Sequence, residues 1–465
     1  MSAQANPPRI WRENLEALTM AIVVALLFKY FVLEISKIPS GSMQPTLMGN
    51  PETGVYDRTV VDKLSFHFRD PERFEIVVFK HPLERSRIMV KRLVGMPGED
   101  LKIENGDLWT RKDENDSWRI LRRPKSVQRE MWRTLRRDAR VADWQVVRGG
   151  KEWRVSADGI VARGDGAARF RPDDGPIRDV YVDGYPVSLL SGIRTPPQAA
   201  PRDAVGDVRI EGELVALAGT TALTFELTEG QRSYEFTLPG PAAPAEAEVT
   251  VRIRDSAASS EHVEHGERVH LAAGVRASFA VENLDDRLAL ELDGRECLAA
   301  EIGSSARQET SLTLAVAGEG ADFSALRVAR DVYYLVPDGR KTWTVTIPPG
   351  HYVMLGDNAQ DSADSRLWLA KTYGAREDGD EIEARGNYRP GENPVSENGP
   401  VVRFRDQWGE IHWFDRGAMT GAESLPGNEP LVPRELILGR AWAIFWPIRP
   451  SIRPSEGLWR VGWLH

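Results

Sequence analysis

The stretch that most limits what this chain can become is residues 15–33, "LEALTMAIVVALLFKYFVL". Its apolar run, 17–28, is broken only by Thr19, and Glu16 and Lys29 stand at its borders. A bilayer's hydrocarbon core needs about 20 helical residues. Residues 15–33 supply that length when Lys29 snorkels to one interface beside Tyr30. One transmembrane helix is therefore predicted. Arg9 and Arg12 ahead of the run also suit a secretory signal, but "FKYFVLEIS" puts bulky residues where cleavage requires two small ones. The expectation is an uncleaved, single-pass anchor. Arg9 and Arg12 before the helix and Lys37 after it give a weak bias toward a cytoplasmic N-terminus, leaving everything beyond residue 36 outside.

Directly after the apolar run comes "EISKIPSGSMQPTL", residues 34–47. Pro39 and Pro45 each lack an N–H and restrict the residue before them, so no helix crosses this stretch. Ser40 and Ser42 must ride a loop at a membrane surface. A lone Ser-Gly-Ser is ordinarily a polar turn; its meaning depends on the rest of the chain.

With 465 residues, 41% of them hydrophobic, the length prior is roughly three domains. A net charge of -9 speaks against a general nucleic-acid binder, because neutralising phosphates takes a basic surface. The single cysteine, Cys297, excludes an intrachain disulfide and a cysteine-type zinc cluster.

Most of the chain reads as β. Residues 55–94 hold runs such as "FEIVVFKHP" and "IMVKRLVGMPGED", closed by Pro, Gly and Asp. The segment 104–205 opens dense in Arg and Trp, part of it with helical spacing, and reads as a solvated face packed on a neighbour more readily than as a lipid contact. Between 206 and 330 period-two runs ("ALTFELTEG", "RSYEFTLPG", "AEVTVRIRD") recur between turn residues, the pattern of a β-sandwich. This block loosely resembles jelly-roll sandwiches of the laminin-G and lectin type, with no ligand motif. His262, His265 and His270 could be drawn as a metal site, but chance histidines in a polar segment explain them as well. Residues 370–432, rich in Gly, Pro, Asn and acids, read as a long surface insertion with a hairpin in "VVRFRDQWGEIHWF".

In "RIMVKRLVG" Lys91 shares strand parity with Met89 and Leu93, while Arg92 shares the other face with Val90 and Val94. If the first face is core, Lys91 is buried, and burial disfavours the protonated amine. A neutral lysine can act as a base, so Ser42 and Lys91 together suggest a serine nucleophile that needs no histidine. His67, His81 and His351 leave a Ser-His-Asp arrangement open, though none sits in a G-x-S-x-G signature.

At these residues the sequence resembles the type I signal peptidases, also called leader peptidases. "PSGSMQPTL" looks like the family's nucleophile box, "DRTVVDKLSF" like the following strand box, "VKRLVGMPGED" like the lysine box and "GDNAQDSADSR" like the last box, in the expected order. "GRAWAIFWP" fits the closing strand. The resemblance implies that Ser42 is the nucleophile and Lys91 the general base, that Ser40 helps the Ser42 N–H form the oxyanion hole, and that Ser362 orients Lys91. Asp364 and Arg366 would form a structural ion pair, with Asp357 structural near the site. Ile38, Pro39, Met43, Leu47 and Val90 would line shallow pockets for small side chains. "NAQDS" departs from the family's usual middle positions, and 104–330 far exceeds its usual insertion.

The expected fold class is mainly β: one N-terminal transmembrane helix, a β-rich signal-peptidase core and an inserted jelly-roll-like sandwich. The expected organisation is a cytoplasmic tail 1–13, an anchor 14–35, catalytic core 36–103, a basic Trp-rich insertion 104–205, and a sandwich 206–330. A second core part 331–369, a polar loop insertion 370–432 and a closing core strand with tail 433–465 follow. The function this implies is a serine endopeptidase of the inner (cytoplasmic) membrane, its catalytic domain on the outer, extracytoplasmic side, removing signal peptides after a small-x-small site. Its partners would be secretory preproteins and the lipid bilayer, with no nucleic acid, no metal and no cofactor. The sandwich's ligand is open. The rival is a membrane-tethered sandwich for binding or adhesion whose peptidase core is inert.

Overall fold

The computed structural model describes residues 7–50, 55–135, 143–149, 152–156, 158–171, 177–179, 203–304, 309–377, 380–419, 426–446, 448–449, 458–459 and 462–464. The chain divides into two compact units, one of residues 1–101, 345–357 and 361–465, the other of 102–344 and 358–360.

In the first unit the helix Pro7–Phe31 carries a span Trp11–Phe31 of 21 residues with mean hydropathy 1.6 and no burial inside the protein. At 1.5 Å per residue it is about 31 Å long, the thickness of a hydrocarbon core. The expected anchor, 14–35, ends too late: Leu33–Lys37 is a strand paired with Arg58–Asp62. "LEISK" alternates apolar and polar residues, and a partner strand satisfies its backbone where further helix would not.

The unit's main sheet is antiparallel and runs Leu33–Lys37, Arg58–Asp62, Ile437–Trp446, Ile76–His81, Glu84–Gly95, His351–Leu355, Leu431–Pro433. Both faces are covered. Val77, Phe79, Met89 and Leu93 enter one core with Met354 and Trp368. Ile76 and Val78 enter the other with Ile38, Met43, Leu47 and Ile444. A strand packed on both faces needs apolar residues on both, which is why "IVVF" is unbroken.

Residues 370–432 are not a polar loop. Leu369–Glu377 pairs with Asp380–Asn387 and Val401–Arg405 with Ile411–Asp415, closing a small core of Tyr373, Ala384, Val402, Phe404 and Phe414. Pro390, Gly391 and Asn398, among the residues that suggested a loop, occupy turns, while the alternation of "VVRFR" buries Val402 and Phe404.

The second unit is a sandwich of two antiparallel sheets. One orders Arg154–Ser156, Gly159–Arg163, Gly320–Arg330, Val208–Ala216, Arg276–Leu284, Arg287–Leu292 and Arg295–Glu301. The other orders Trp144–Arg148, Gly166–Phe170, Thr310–Gly318, Thr220–Glu229, Arg232–Pro239, Glu248–Asp255 and Ser260–Arg268. Their inner faces share one core, with Phe225 stacked on Phe279 at 4.8 Å. The sandwich is therefore wider than 206–330. The strands between Trp144 and Phe170 belong to it, so 104–205 is not a separate insertion: their runs are short and interrupted by Gly and Arg, which hid their period. The helical spacing there corresponds to one short helix, Lys125–Met131.

Candidate active site

Ser42 sits on a single helical turn, Gly41–Met43, that follows the extended Ser40 and precedes Gln44–Pro45. Lys91 lies in the middle of Glu84–Gly95, opposite Val77 of the neighbouring strand. The two meet: Lys91 Nζ is 2.5 Å from Ser42 Oγ. Ser42 is 8% exposed and Lys91 2%. Burial lowers the Lys91 amine from its ordinary 10.5 to about 8. Asp364 and Asp357 pull it upward, and Arg87 and Arg366 push it down. A buried amine touching a hydroxyl and losing its proton near pH 8 can accept that hydroxyl's proton, provided the hydroxyl attacks something.

Ser40 Oγ lies 3.4 Å from Ser42 Oγ. The last box supplies the surroundings. Asp364 accepts two bonds from the Arg366 guanidinium, at 2.8 and 2.7 Å, one from the Arg366 N–H at 3.2 Å and one from the Gly356 N–H at 3.0 Å. Burial raises the Asp364 carboxyl, but Arg366 and the Gly356 N–H outweigh it, so the carboxyl titrates below its usual range. Ser362 Oγ is buried without a hydrogen-bond partner, so the contact to Lys91 that the resemblance implies is not made here. It is close by through Gly356: a Cβ on Gly356 would lie 2.1 Å from Ser362 Oγ and 2.4 Å from the Ser42 carbonyl oxygen. The serine hydroxyl can rotate away, but the carbonyl belongs to the loop that carries the nucleophile. Gly356→Ala is therefore expected to displace that loop, lowering stability by about 1–3 kcal/mol. Turnover should fall with it, and a preprotein cleavage assay beside thermal unfolding checks both.

One part of the site was missed from the sequence. Parity placed Arg92 on the face opposite Lys91, and nothing in the sequence marked that face as closed. Arg92 is 0% exposed and grips Asp357 with both ends, at 2.8 and 2.8 Å, while donating to the Phe74 carbonyl at 2.7 Å. Thr46 Oγ1 donates to the same carboxylate at 2.6 Å. Asp357 thus ties the serine loop to the lysine strand. The signal available was the pair of adjacent cations in "VKRLV" with only one obvious role between them.

Of the expected pocket residues, Ile38, Met43, Leu47 and Val90 share one apolar cluster. Ile38, Met43 and Leu47 are 3%, 1% and 0% exposed, so they form packed core beneath the loop; Pro39 and Val90 keep accessible surface. His81 does not serve Ser42. Burial, with Arg87, Arg389 and Lys91 nearby, lowers it to about 3, and its Nδ1 accepts from the Leu83 N–H at 3.0 Å. His262 and His265 lie on the exposed strand Ser260–Arg268 beside Glu264 and Glu248, outside any three-ligand grouping among the described residues.

The model of the family "Signal peptidase, peptidase S26" matches residues 11–165 and 313–379. The chain is 34% identical over 112 residues to the probable signal peptidase I-2 of Synechocystis sp., covering 23% of this chain and 48% of that protein. It is 37% identical over 102 residues to signal peptidase I of Leptolyngbya laminosa, covering 20% and 47%. The chain spans about half the length of the curated relatives it matches. A carbohydrate-binding module of Bacillus subtilis aligns with 40% of this chain and 95% of its own at 14% identity, with a TM-score of 0.25, too slight a likeness to argue from. The class that the matched stretches resemble is that of the signal peptidases. The family that these stretches resemble is that of the type I signal peptidases, peptidase S26.

Proposed function

We propose that this chain is a membrane-anchored endopeptidase that removes signal peptides from exported preproteins after a small-x-small site, with Ser42 as nucleophile and Lys91 as general base. The observation that carries the reading is the 2.5 Å contact between a buried amine and Ser42 Oγ. In the first step Ser42 Oγ attacks the scissile carbonyl carbon while neutral Lys91 takes the hydroxyl proton. Lys91 then hands that proton to the departing amine. A water deprotonated by the same amine attacks the acyl-enzyme and frees Ser42. The Ser42 N–H with Ser40 Oγ stabilises the oxyanion, each such donor being worth about 3 kcal/mol when aimed at developing charge. Ser362 orients Lys91 once substrate excludes water. Pro39 and Val90 bound the pockets beside the loop.

The helix Pro7–Phe31 ends only about ten residues before Ser42. That tether holds the serine loop at the outer bilayer surface, where the cleavage site of a membrane-inserted signal peptide is presented, and raises its effective concentration. The membrane would be the inner one, with the catalytic unit outside.

The test is cleavage of a secretory preprotein by detergent-extracted protein, with sequencing of the new N-terminus. A new N-terminus directly after a small-x-small sequence is the expected result; an intact preprotein would overturn the reading. The pH profile gives a second check. Because Lys91 must be neutral, the rate should rise through about pH 8 and level off above it. A rate still climbing at pH 10 would mean an amine with an ordinary lysine pKa.

A further inference from the structure

Ion pairs cover the outer face of one sheet of the sandwich unit, and a cavity of about 600 Å³ lies over them, walled in part by the helix Lys125–Met131 and Trp132. Side chains alternate along the strands: Val208, Ile210 and Leu214 enter the core, while Arg209 and Glu211 face the cavity. Arg209 stands opposite Glu282 in register, and Glu211 opposite Arg327. The Arg209 guanidinium donates to Glu211 at 3.0 Å, to Glu291 at 3.2 Å and to Glu282. Arg287 donates to Glu296 at 2.6 Å, and Arg327 lies 3.1 Å from Glu211. The floor of the cavity is thus a mosaic of charge-paired donors and acceptors.

The helix supplies what the floor lacks. Lys125, Arg129 and Trp132 recur at i, i+4 and i+7, on one helix face, and all three line the cavity. Lys125 reaches Glu291 and Glu296, at 3.0 Å each. Arg129 is exposed and has no hydrogen bond or ion pair among the described residues. Seven cations and four carboxylates line the cavity. Arg122 and Arg123 are matched by Glu301 and Asp331, neither of which lines it, so five cations remain against four carboxylates. In a chain of net charge -9 the cavity therefore keeps one positive charge to spare, and Arg129 is the cation without a counterpart.

We infer that this cavity binds an acidic sugar, a saccharide whose ring carries a carboxylate. A sugar hydroxyl both donates and accepts, so it can bond a glutamate and an arginine of the floor at once. The ion pairs already hold those groups in place, which lowers the cost of ordering them on binding. Trp132 offers a flat apolar ring to the C–H face of a pyranose. Arg129 offers a guanidinium fork to the carboxylate. Carboxylates or phosphates without hydroxyls bring acceptors that the four glutamates repel, and a neutral sugar leaves Arg129 unmatched. The volume falls within the range of small-molecule sites, about 300–1,000 Å³.

The test uses the full chain in neutral detergent, titrated calorimetrically with trigalacturonate and, in parallel, with maltotriose and hexaglutamate. Trigalacturonate should bind at least about tenfold more tightly than either of the others, and more weakly as salt is raised. Arg129→Gln and Trp132→Ala should each weaken its binding about tenfold. Lys341→Gln, exposed and outside the cavity, should leave binding unchanged. Absence of trigalacturonate binding overturns the inference. So does hexaglutamate binding of equal strength, which would mean that charge alone is read, or maltotriose binding of equal strength, which would leave Arg129 without a role. Undiminished binding in either variant also overturns it. Should Trp132→Ala fail to fold, the wild-type titrations and Arg129→Gln still decide it.

Discussion

Lys91→Met is expected to be inactive and yet more stable than the wild type at neutral pH. In the proposed reaction the amine carries the proton in both directions, so its loss removes acylation and deacylation together. Turnover should fall on the order of 10⁴-fold or more, as it should for Ser42→Ala, and the double variant should be no worse than either single one, because the pair acts as a unit. The stability effect has the opposite sign. Folding lowers the Lys91 amine from 10.5 to about 8, so below pH 8 the folded chain holds a charged amine at a buried position. That penalty is about 3 kcal/mol, from roughly 1.4 kcal/mol per pKa unit. Between pH 8 and 10.5 the unfolded chain keeps the proton that the folded chain has lost, so raising the pH favours the folded chain until the penalty has gone. Methionine has no such term. Its advantage should be largest at pH 7 and absent near pH 10.5. Denaturant midpoints of both proteins at the two pH values check this, and a variant less stable than the wild type at pH 7 would mean the burial penalty is not there. The same shift explains the use of the site: at pH 7 an amine titrating near 8 is neutral about 300 times more often than one titrating at 10.5.

Asp357→Ala should be the most destabilising single change near the site. It leaves Arg92 charged at 0% exposure without the carboxylate that grips it, and it removes the Thr46 hydrogen bond to that carboxylate. Breaking one side of a buried ion pair costs about 3–5 kcal/mol, whereas replacing both partners by apolar residues of similar volume is often neutral. Arg92→Met combined with Asp357→Leu should therefore recover most of the loss. Activity should not recover with it, because the serine loop loses its tie through Thr46. Chemical denaturation of the two single variants and the double, beside the cleavage assay, separates these outcomes. If the double variant is as unstable as Asp357→Ala, the ion pair is not the cause.

Much of the site was legible because its chemistry is written in unusual residues at local positions. A lysine amid "IMV" and "LVG" has no good surface reason to be there, and two prolines fix the serine loop as non-helical. Arg92 was not legible. Strand parity gives two faces but does not say that both are covered, and here both are packed. The same lack of information about partners misassigned Met43 and Leu47, whose apolar side chains suit a pocket wall and a core equally well. In 370–432 the hairpin of "VVRFRDQWGEIHWF" was legible from its alternation, whereas the pairing of Leu369–Glu377 with Asp380–Asn387 was hidden by the turn residues and acids around it. In the sandwich the short strands 144–170 gain their identity from long partners such as Gly320–Arg330 and Thr310–Gly318.

The sequence by itself determined an apolar span at the N-terminus, a mainly β chain, and the residue types able to perform serine chemistry without histidine. These follow from local periodicity and from the intrinsic chemistry of each side chain. Only the tertiary structure decided that Ser42 and Lys91, 49 residues apart, touch, that Asp357 arrives 265 residues after Arg92 to neutralise it, and that the amine is dry enough to lose its proton near pH 8. Proximity and desolvation are properties of the packed chain, and both are set by residues far along the sequence from the groups they act on.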